Sequence, residues 1–394
     1  MNEELPPTAD AVVIGAGLVG AATAAALAAT GRRVLVVDRS GPLGGTTAAG
    51  EGNILVSDKL PGPELTLALR SVALWRELAE AEKAAGGFEF EGKGGVVVAH
   101  DEAQRAALLE LAGRQRAAGV EVTPLDPGGL AEAEPRLAPG LAGGAFYPQD
   151  SQVQPMKAVL ALLARARREG AVVAGGAEVL GLERGPGGAA GAVVTSRGRV
   201  AAPVVVNAAG PWSGAVAQRL GTSVPVRPRR GRILVTEPLP AEVIRHKVYE
   251  ADYVGAVVSD SAALRCSAVV EGTASGTVLV GSSRDAAGFS AGPDPAALAE
   301  MARRAVRLFP FLARVRAIRS YTGFRPASPD HLPVIGADAK VPGLFHATGH
   351  EGAGIGLAPA TAELITALVN GTEPVVDPAP FAPGRFTEVV ADAG

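Results

Sequence analysis

The hydrophobic pattern near the N-terminus changes period twice within thirty residues. Ala11 to Ile14 is a short, unbroken apolar run, suited to a strand buried on both faces. The glycine-rich GAGLVG follows at 15–20, then an alanine-rich stretch of helical length that stops at Gly31. A second apolar run, Val34 to Val37, ends in Asp38. This order predicts strand, turn, helix, strand. Further along, Val96 to Ala99 and the alternating run Arg232, Ile233, Leu234, Val235 predict strands. Ala103 to Ala118 and Pro295 to Leu308, with apolar residues at spacings of three and four, predict helices. Ala201 to Val206 predicts one more buried strand, running into the small residues Asn207, Ala208, Ala209 and Gly210. Strands alternating with helices point to an α/β fold.

Residues 11–30 carry no charge, and length alone would let them span a bilayer. They are rich in alanine and glycine, break at Gly15-Ala16-Gly17 and follow the acidic flank NEEL, whereas a signal peptide has a basic one. No integral membrane span is expected. Read as strand–turn–helix, the stretch is instead a GxGxxG in its βαβ setting. Gly15 permits the tight turn, Gly17 lets backbone approach a pyrophosphate, and Gly20 lets the helix pack closely on the strand. Leu18 and Val19 open a helix whose N-terminus offers N–H groups and partial positive charge to phosphate. Asp38 is placed to accept hydrogen bonds from a ribose diol. The long run of small and polar residues from Arg39 to Asn53 has little capacity for core packing and suits backbone laid along an extended cofactor. That favours FAD over NAD.

Composition adds limits. A chain of 394 residues is too long for one small core and implies two lobes. Its 51 glycines and 30 prolines follow no fixed period, so no repeat architecture is expected. A net charge of -3 gives no global basic field for nucleic acid. The run RPRRGR, with Arg227, Arg229, Arg230 and Arg232, lacks interleaved aromatics and is read as a strand carrying surface arginines. The single cysteine, Cys266, can make neither an internal disulfide nor a four-cysteine metal site, and the five histidines lack ligand spacing. No metal is expected, Cys266 is read as core, and the cysteine count fits a cytoplasmic, reducing compartment.

Five motifs in order then carry a resemblance: GAGLVG with Asp38, GGTTAAGEGN, NAAGPWS, YTGFRPASPDHLPVIG and ATGHEGAGIGLAPATAEL. Together they resemble the FAD-dependent D-amino-acid oxidase superfamily. That group includes glycine and sarcosine oxidases, D-amino-acid dehydrogenases, and the flavin subunits of hydroxyproline dehydrogenase, opine oxidase and hydrogen cyanide synthase. The resemblance implies a Rossmann-type FAD-binding domain (1–86, 150–222 and 322–394). Interleaved with it is an α+β substrate domain (87–149 and 223–321) built on a mixed sheet.

By resemblance, Gly15, Gly17 and Gly20 match the phosphate loop and Asp38 the ribose acid, where glutamate is commoner. Thr46 and Thr47 match a hydroxyl pair near the pyrophosphate, and Gly50, Glu51, Gly52 and Asn53 the segment reaching the flavin. Val179 matches the residue whose backbone meets the adenine. Gly349, His350, Glu351, Gly352, Ala353, Gly354 and Ile355 match the loop under the flavin N1–C2=O edge. Two departures stand out. The positions where some relatives attach FAD covalently hold neither a cysteine nor an early histidine, so FAD is expected to be non-covalent. Glycine oxidases carry a second arginine where this chain has Gly352, and the form GHEGAGIGLAP is closer to hydroxyproline-dehydrogenase and opine-oxidase flavin subunits.

The resemblance makes Arg325 the clamp for the substrate carboxylate. A guanidinium offers a bidentate fork, and the prolines around it restrict the loop. The bland alternative is an ion pair with Asp330 or Glu351. His350 and Tyr321 are further catalytic candidates. Tyr249 and Tyr253 are candidates for a lid, and Lys59 is read as a solvated charge. The expected reaction is hydride transfer from the α-carbon of an amino acid or amine to flavin N5, giving an imine that water hydrolyses. Three possibilities stay open: a stand-alone amino-acid or amine oxidase using O2, the flavin subunit of a heteromeric dehydrogenase that passes electrons to a partner, and a non-catalytic FAD-bound scaffold; the oligomeric state is left open between homo- and hetero-oligomer.

Overall fold

In the computed structural model, which describes residues 4–240, 242–253 and 264–386, the N-terminal strand lies inside a six-stranded sheet. Across this sheet the strands are Val334–Ala337, Leu344–Thr348, Val204–Asn207, Ala11–Ile14, Val34–Asp38 and Val172–Gly175. All pair in parallel except Val334–Ala337, which runs antiparallel at the edge. Alternation along Ala11–Ile14 explains why the whole run is apolar. Ala11 and Val13 join the cluster that contains the helix Leu18–Ala28, while Val12 and Ile14 join the one facing a small antiparallel sheet. That small sheet holds Val179–Arg184, Ala190–Thr195 and Gly198–Ala201. The helix Leu18–Ala28 packs against Pro155–Arg168 and Gly354–Asn370, and its alanines allow close approach. The stretch Glu351–Asn370 is also long and apolar enough to cross a membrane by composition, but 56% of it is buried inside this fold.

A second sheet has eight strands, in the order Ala317–Ala327, Arg227–Thr236, Val278–Arg284, Arg265–Gly272, Lys247–Glu250, Gly95–Ala99, Gly143–Tyr147 and Thr123–Leu125. It is mixed, as expected: Lys247–Glu250 and Gly95–Ala99 pair in parallel and the rest antiparallel. The helix Pro295–Leu308 covers one face, with Ala305 and Leu308 packed among Val270, Val278 and Val280. The other expected helix runs Glu102–Ala117, capped by the Asp101 side chain. The expected strand from 201 to 206 is instead two. Gly198–Ala201 ends in the small sheet and Val204–Asn207 begins in the parallel one. Pro203 lies at the break, where its missing N–H cannot serve a ladder.

The arginine run departs from expectation except at Arg227, which is exposed. Arg229 and Arg232 are 8% and 2% exposed, not surface charges. Arg229 pairs with Glu351, while Arg230 and Arg232 share Asp285. A second ionic knot surrounds Glu250. Burial alone would raise its carboxyl, but hydrogen bonds from His100, the Ala268 N–H and Arg307 hold it down at about 2. A depressed carboxyl contributes stability that is complete above its ordinary pKa of 4.5 and lost as pH falls toward about 2. Glu250→Gln is therefore expected to lower stability at pH 7 by about 2–3 kcal/mol and to flatten the acid limb of a urea-midpoint-versus-pH curve.

Candidate active site

The C-terminal ends of Ala11–Ile14, Val34–Asp38 and Val204–Asn207 open into a large cleft that reaches the face of the eight-stranded sheet. Crevices beyond strand carboxyl ends are where open α/β sheets bind ligands. Gly15 has φ +109°, and a Cβ there would lie 2.5 Å from the Ala208 carbonyl oxygen. A Cβ on Gly20 would overlap the Gly15 carbonyl oxygen, so Gly20 serves helix packing and does not line the cleft. Gly17, Leu18 and Val19 do line it. The Leu18 N–H donates to Thr47 Oγ1 at 3.1 Å. Asp38 is fixed by backbone: the Ala16 N–H donates to Oδ2, and those of Ser40 and Gly41 to Oδ1, at 2.8–2.9 Å. Arg39 lies 4.1 Å over the Trp212 ring, which stacks on Phe289. Val179 borders the same end, its carbonyl accepting from Arg219 at 2.8 Å. Ala208, Ala209 and Gly210 form the wall between.

At the other end the eight-stranded sheet supplies the wall. Tyr321, Gly323 and Arg325 share one face of their strand, paired with Ile233, Gly231 and Arg229. This face is paved with glycine. A Cβ on Gly323 would lie 2.7 Å from the Ala49 carbonyl oxygen, one on Gly231 would overlap Arg325 Nη1, and one on Gly281, a strand further in, would overlap Glu51 Oε1. Thr46 Oγ1 donates to the Phe324 carbonyl at 2.5 Å, tying the small-residue segment to this strand. Gly50, Glu51 and Asn53 line the cleft, whereas Gly52 is packed against the Val153 carbonyl.

Arg325 Nη1 donates to the Ser283 carbonyl at 2.9 Å. Its two alternative partners are engaged elsewhere. Asp330 pairs with Arg385 at 2.7 Å, and Glu351 with Arg229 and His331. Among the described residues no carboxylate comes within ion-pair distance of Arg325. Desolvation and the nearby charge of Arg284 pull its pKa down to about 10, which leaves it charged at neutral pH. A Cβ on Gly352 would sit 3.6 Å from Arg325 Nε, in ordinary contact, so this glycine lies directly against the guanidinium. Gly354 and Ile355 also line the cleft, while Gly349 and Ala353 pack behind it.

The profile of the family described as "DAO: FAD dependent oxidoreductase" matches residues 10–368. The chain belongs to the DAO family. It is 31% identical to a glycine oxidase from Pseudomonas putida, over 95% of this chain and 98% of that one. It is 29% identical to the hydrogen cyanide synthase subunit HcnC of Pseudomonas aeruginosa, over 96% of each. Among solved structures, glycine oxidase from Geobacillus kaustophilus superposes with a TM-score of 0.86 at 28% identity, covering 96% of this chain and 99% of that one. L-proline dehydrogenase from P. horikoshii shares the fold, with a TM-score of 0.88 at 24% identity, covering 98% and 99%. This DAO-family protein is thus an FAD-dependent oxidoreductase that acts on CH–NH donors, amino acids or amines.

The DAO-family cleft fits the cofactor on its own chemistry. Its glycine turn admits backbone-close phosphates, no side chain of Gly17 blocks the helix N-terminus, and buried Asn53 Oδ1 lacks a partner among the described residues. Several side chains differ from expectation. The Tyr321 hydroxyl lies off the cleft lining and donates to the Gly50 carbonyl at 3.4 Å. His350 does border the cleft, but its ring contacts Thr361 Oγ1 at 2.9 Å, and burial pulls its pKa down to about 3, so it stays neutral at physiological pH. Lys59 is not solvated: it is 4% exposed and paired with Asp58 and Glu64. Tyr249 is a core residue bonded to Ser57, not a lid, although its ring partner Tyr253 does border the cleft. Cys266 is half-buried on its strand and away from the lining. Trp212, Gly231 and Ile233 line the cleft without having been singled out. Their signals were a tryptophan among small residues and a glycine interrupting a strand.

Proposed function

We propose that the chain oxidises the C–N bond of an amino acid or secondary amine carboxylate, of D-amino acid, hydroxyproline, N-alkyl glycine or opine type. A hydride leaves the α-carbon, and the resulting imine is hydrolysed by water. The observation that carries this reading is Arg325: a charged guanidinium on the cleft wall with one backbone acceptor and no carboxylate partner among the described residues. A substrate carboxylate would complete its fork. Bound FAD supplies the two-electron oxidant. The chain holds and orients. In this reading Gly15, Gly17, Leu18, Val19 and Thr47 surround the pyrophosphate, Asp38 and Arg39 the ribose, and Val179 the adenine. Gly352, Gly354 and Ile355 meet the flavin edge, and FAD is held without a covalent bond. The division into a cofactor unit (1–86, 150–222 and 322–394) and a substrate unit (87–149 and 223–321) belongs to the same proposal, supported by the two large sheets.

The test is anaerobic mixing of the yellow protein with D- and L-amino acids, prolines, N-methylglycine and opines. Bleaching of the oxidised flavin band by at least one of them is expected, and no bleaching by any would overturn the reading. A second reading, a flavin subunit that needs a partner as electron acceptor, is favoured by the full-length similarity to a protein named as a synthase subunit. Under that reading, bleached protein stays reduced when air is readmitted.

A further inference from the structure

Glu51 is the acidic counterpart of Arg325 on the same cleft. It is 7% exposed, and Oε2 accepts from Asn53 Nδ2 at 3.0 Å. Oε1 has no hydrogen-bond partner among the described residues, although it is buried and its residue lines the cleft. Gly281 makes room for it, as Gly231 on the neighbouring strand makes room for Arg325.

The charges around Glu51 do not balance. Lys247 Nζ lies 3.7 Å from Oε2 but is committed to Glu271 at 2.6 Å, and Glu271 also accepts the Gly52 N–H. Lys93 reaches this group too, but its own partner is Glu91. One lysine between two carboxylates leaves the knot one positive charge short, and a buried imbalance of that kind is costly. Arg325 feels the Glu51 charge at longer range but has no carboxylate within ion-pair distance among the described residues, and Arg284 beside it adds a second positive charge. A zwitterion between the two would set its carboxylate at Arg325 and its ammonium at Glu51.

We propose that Glu51 binds the substrate's ammonium group and accepts its proton; this rests on Arg325 holding the carboxylate. One N–H bond of the ammonium breaks and an O–H bond forms at Oε1. The nitrogen lone pair freed by this step would form the C=N bond as hydride leaves the α-carbon, with bound FAD supplying the two-electron oxidant. After product release the proton passes from Glu51 to water. Burial raises the Glu51 carboxyl, with Lys247 pulling the other way, which makes it a better proton acceptor than a surface glutamate. The groups facing it are Lys247, Glu271, Asn53, Arg325 and the Tyr321 ring.

The test uses the FAD-loaded protein and two probes. One is 2-methylalanine, a zwitterion with no α-hydrogen to lose. The other is isobutyrate, the same carboxylate without the amine. Binding is followed by perturbation of the flavin spectrum and by calorimetry. Wild type is expected to favour 2-methylalanine by about tenfold or more. Glu51→Gln should bring that preference close to unity while isobutyrate affinity holds, and Arg325→Ala should weaken both ligands. An unchanged preference in Glu51→Gln overturns the role of Glu51 alone. Probes that ignore Arg325→Ala, or fail to bind wild type, overturn the carboxylate clamp and this inference with it. The second readout is pH. With an amino acid that bleaches the flavin, the acid limb of the Glu51→Gln rate should move up toward the ammonium's own pKa and recover at high pH. Coincident limbs would overturn the proton step. Glu51→Asp, which keeps the charge, should retain the wild-type limb and serves where the glutamine variant fails to load FAD.

Discussion

Arg325→Ala is expected to slow anaerobic flavin bleaching by about two to four orders of magnitude while FAD content stays at the wild-type level. Removing one partner of a desolvated, hydrogen-bonded charge pair costs about 3–5 kcal/mol, which sets that range. FAD content should hold because the side chain of Arg325 donates to the Ser283 carbonyl on the sheet and ties down no part of the glycine turn. Arg325→Lys should recover only part of the loss, since an ammonium is a point charge without the fork. Stopped-flow absorbance with a single substrate, at saturation and below, separates weaker binding from slower hydride loss. Wild-type rates in the alanine variant would remove the carboxylate clamp and return Arg325 to a structural role.

Gly20→Ala is expected to yield protein that has lost its yellow colour. The added methyl would overlap the Gly15 carbonyl oxygen, so the helix Leu18–Ala28 must move off the turn that faces the cleft. Overpacking of this kind costs about 1–3 kcal/mol before any phosphate contact is lost, so FAD affinity should fall by at least about tenfold to a hundredfold. The ratio of flavin to protein absorbance after gel filtration reads this directly. Gly31→Ala is the control. It has φ +82° with nothing within 4 Å, so it costs backbone strain of about 1 kcal/mol without moving the turn and should keep its FAD.

What the sequence made legible was local or ordered. The βαβ unit could be read because its strand, turn and helix are contiguous and its strand is buried on both faces, leaving an unbroken apolar run. Arg325 could be singled out because its motif sits in sequence with four others. What stayed hidden depends on partners far along the chain. The ionic partners of Lys59, Asp58 and Glu64, are close in sequence, but its burial is not legible there, because Gln115, fifty-six residues on, bonds its carbonyl from a helix. Arg229, Arg230 and Arg232 of RPRRGR looked like surface charge until Glu351, Asp285 and Asp294 were brought to them. Glu51 gave no sign of an unsatisfied oxygen, because Lys247 and Glu271 share its environment from other strands. The break at Pro203 was visible in principle, but its neighbours are apolar enough to mask it.

The glycine-paved wall also decides how this protein can be re-engineered. At Gly231, Gly281 and Gly323 there is no spare volume, because each already receives Arg325, Glu51 or the Ala49 carbonyl where a side chain would go. Mutagenesis libraries that include these positions would spend their diversity on molecules that have lost the pocket. Ile233 and Tyr253 border the same cleft with side chains that can be trimmed or exchanged. Altered substrate scope should therefore be sought at those two positions, with the three glycines left as a fixed floor.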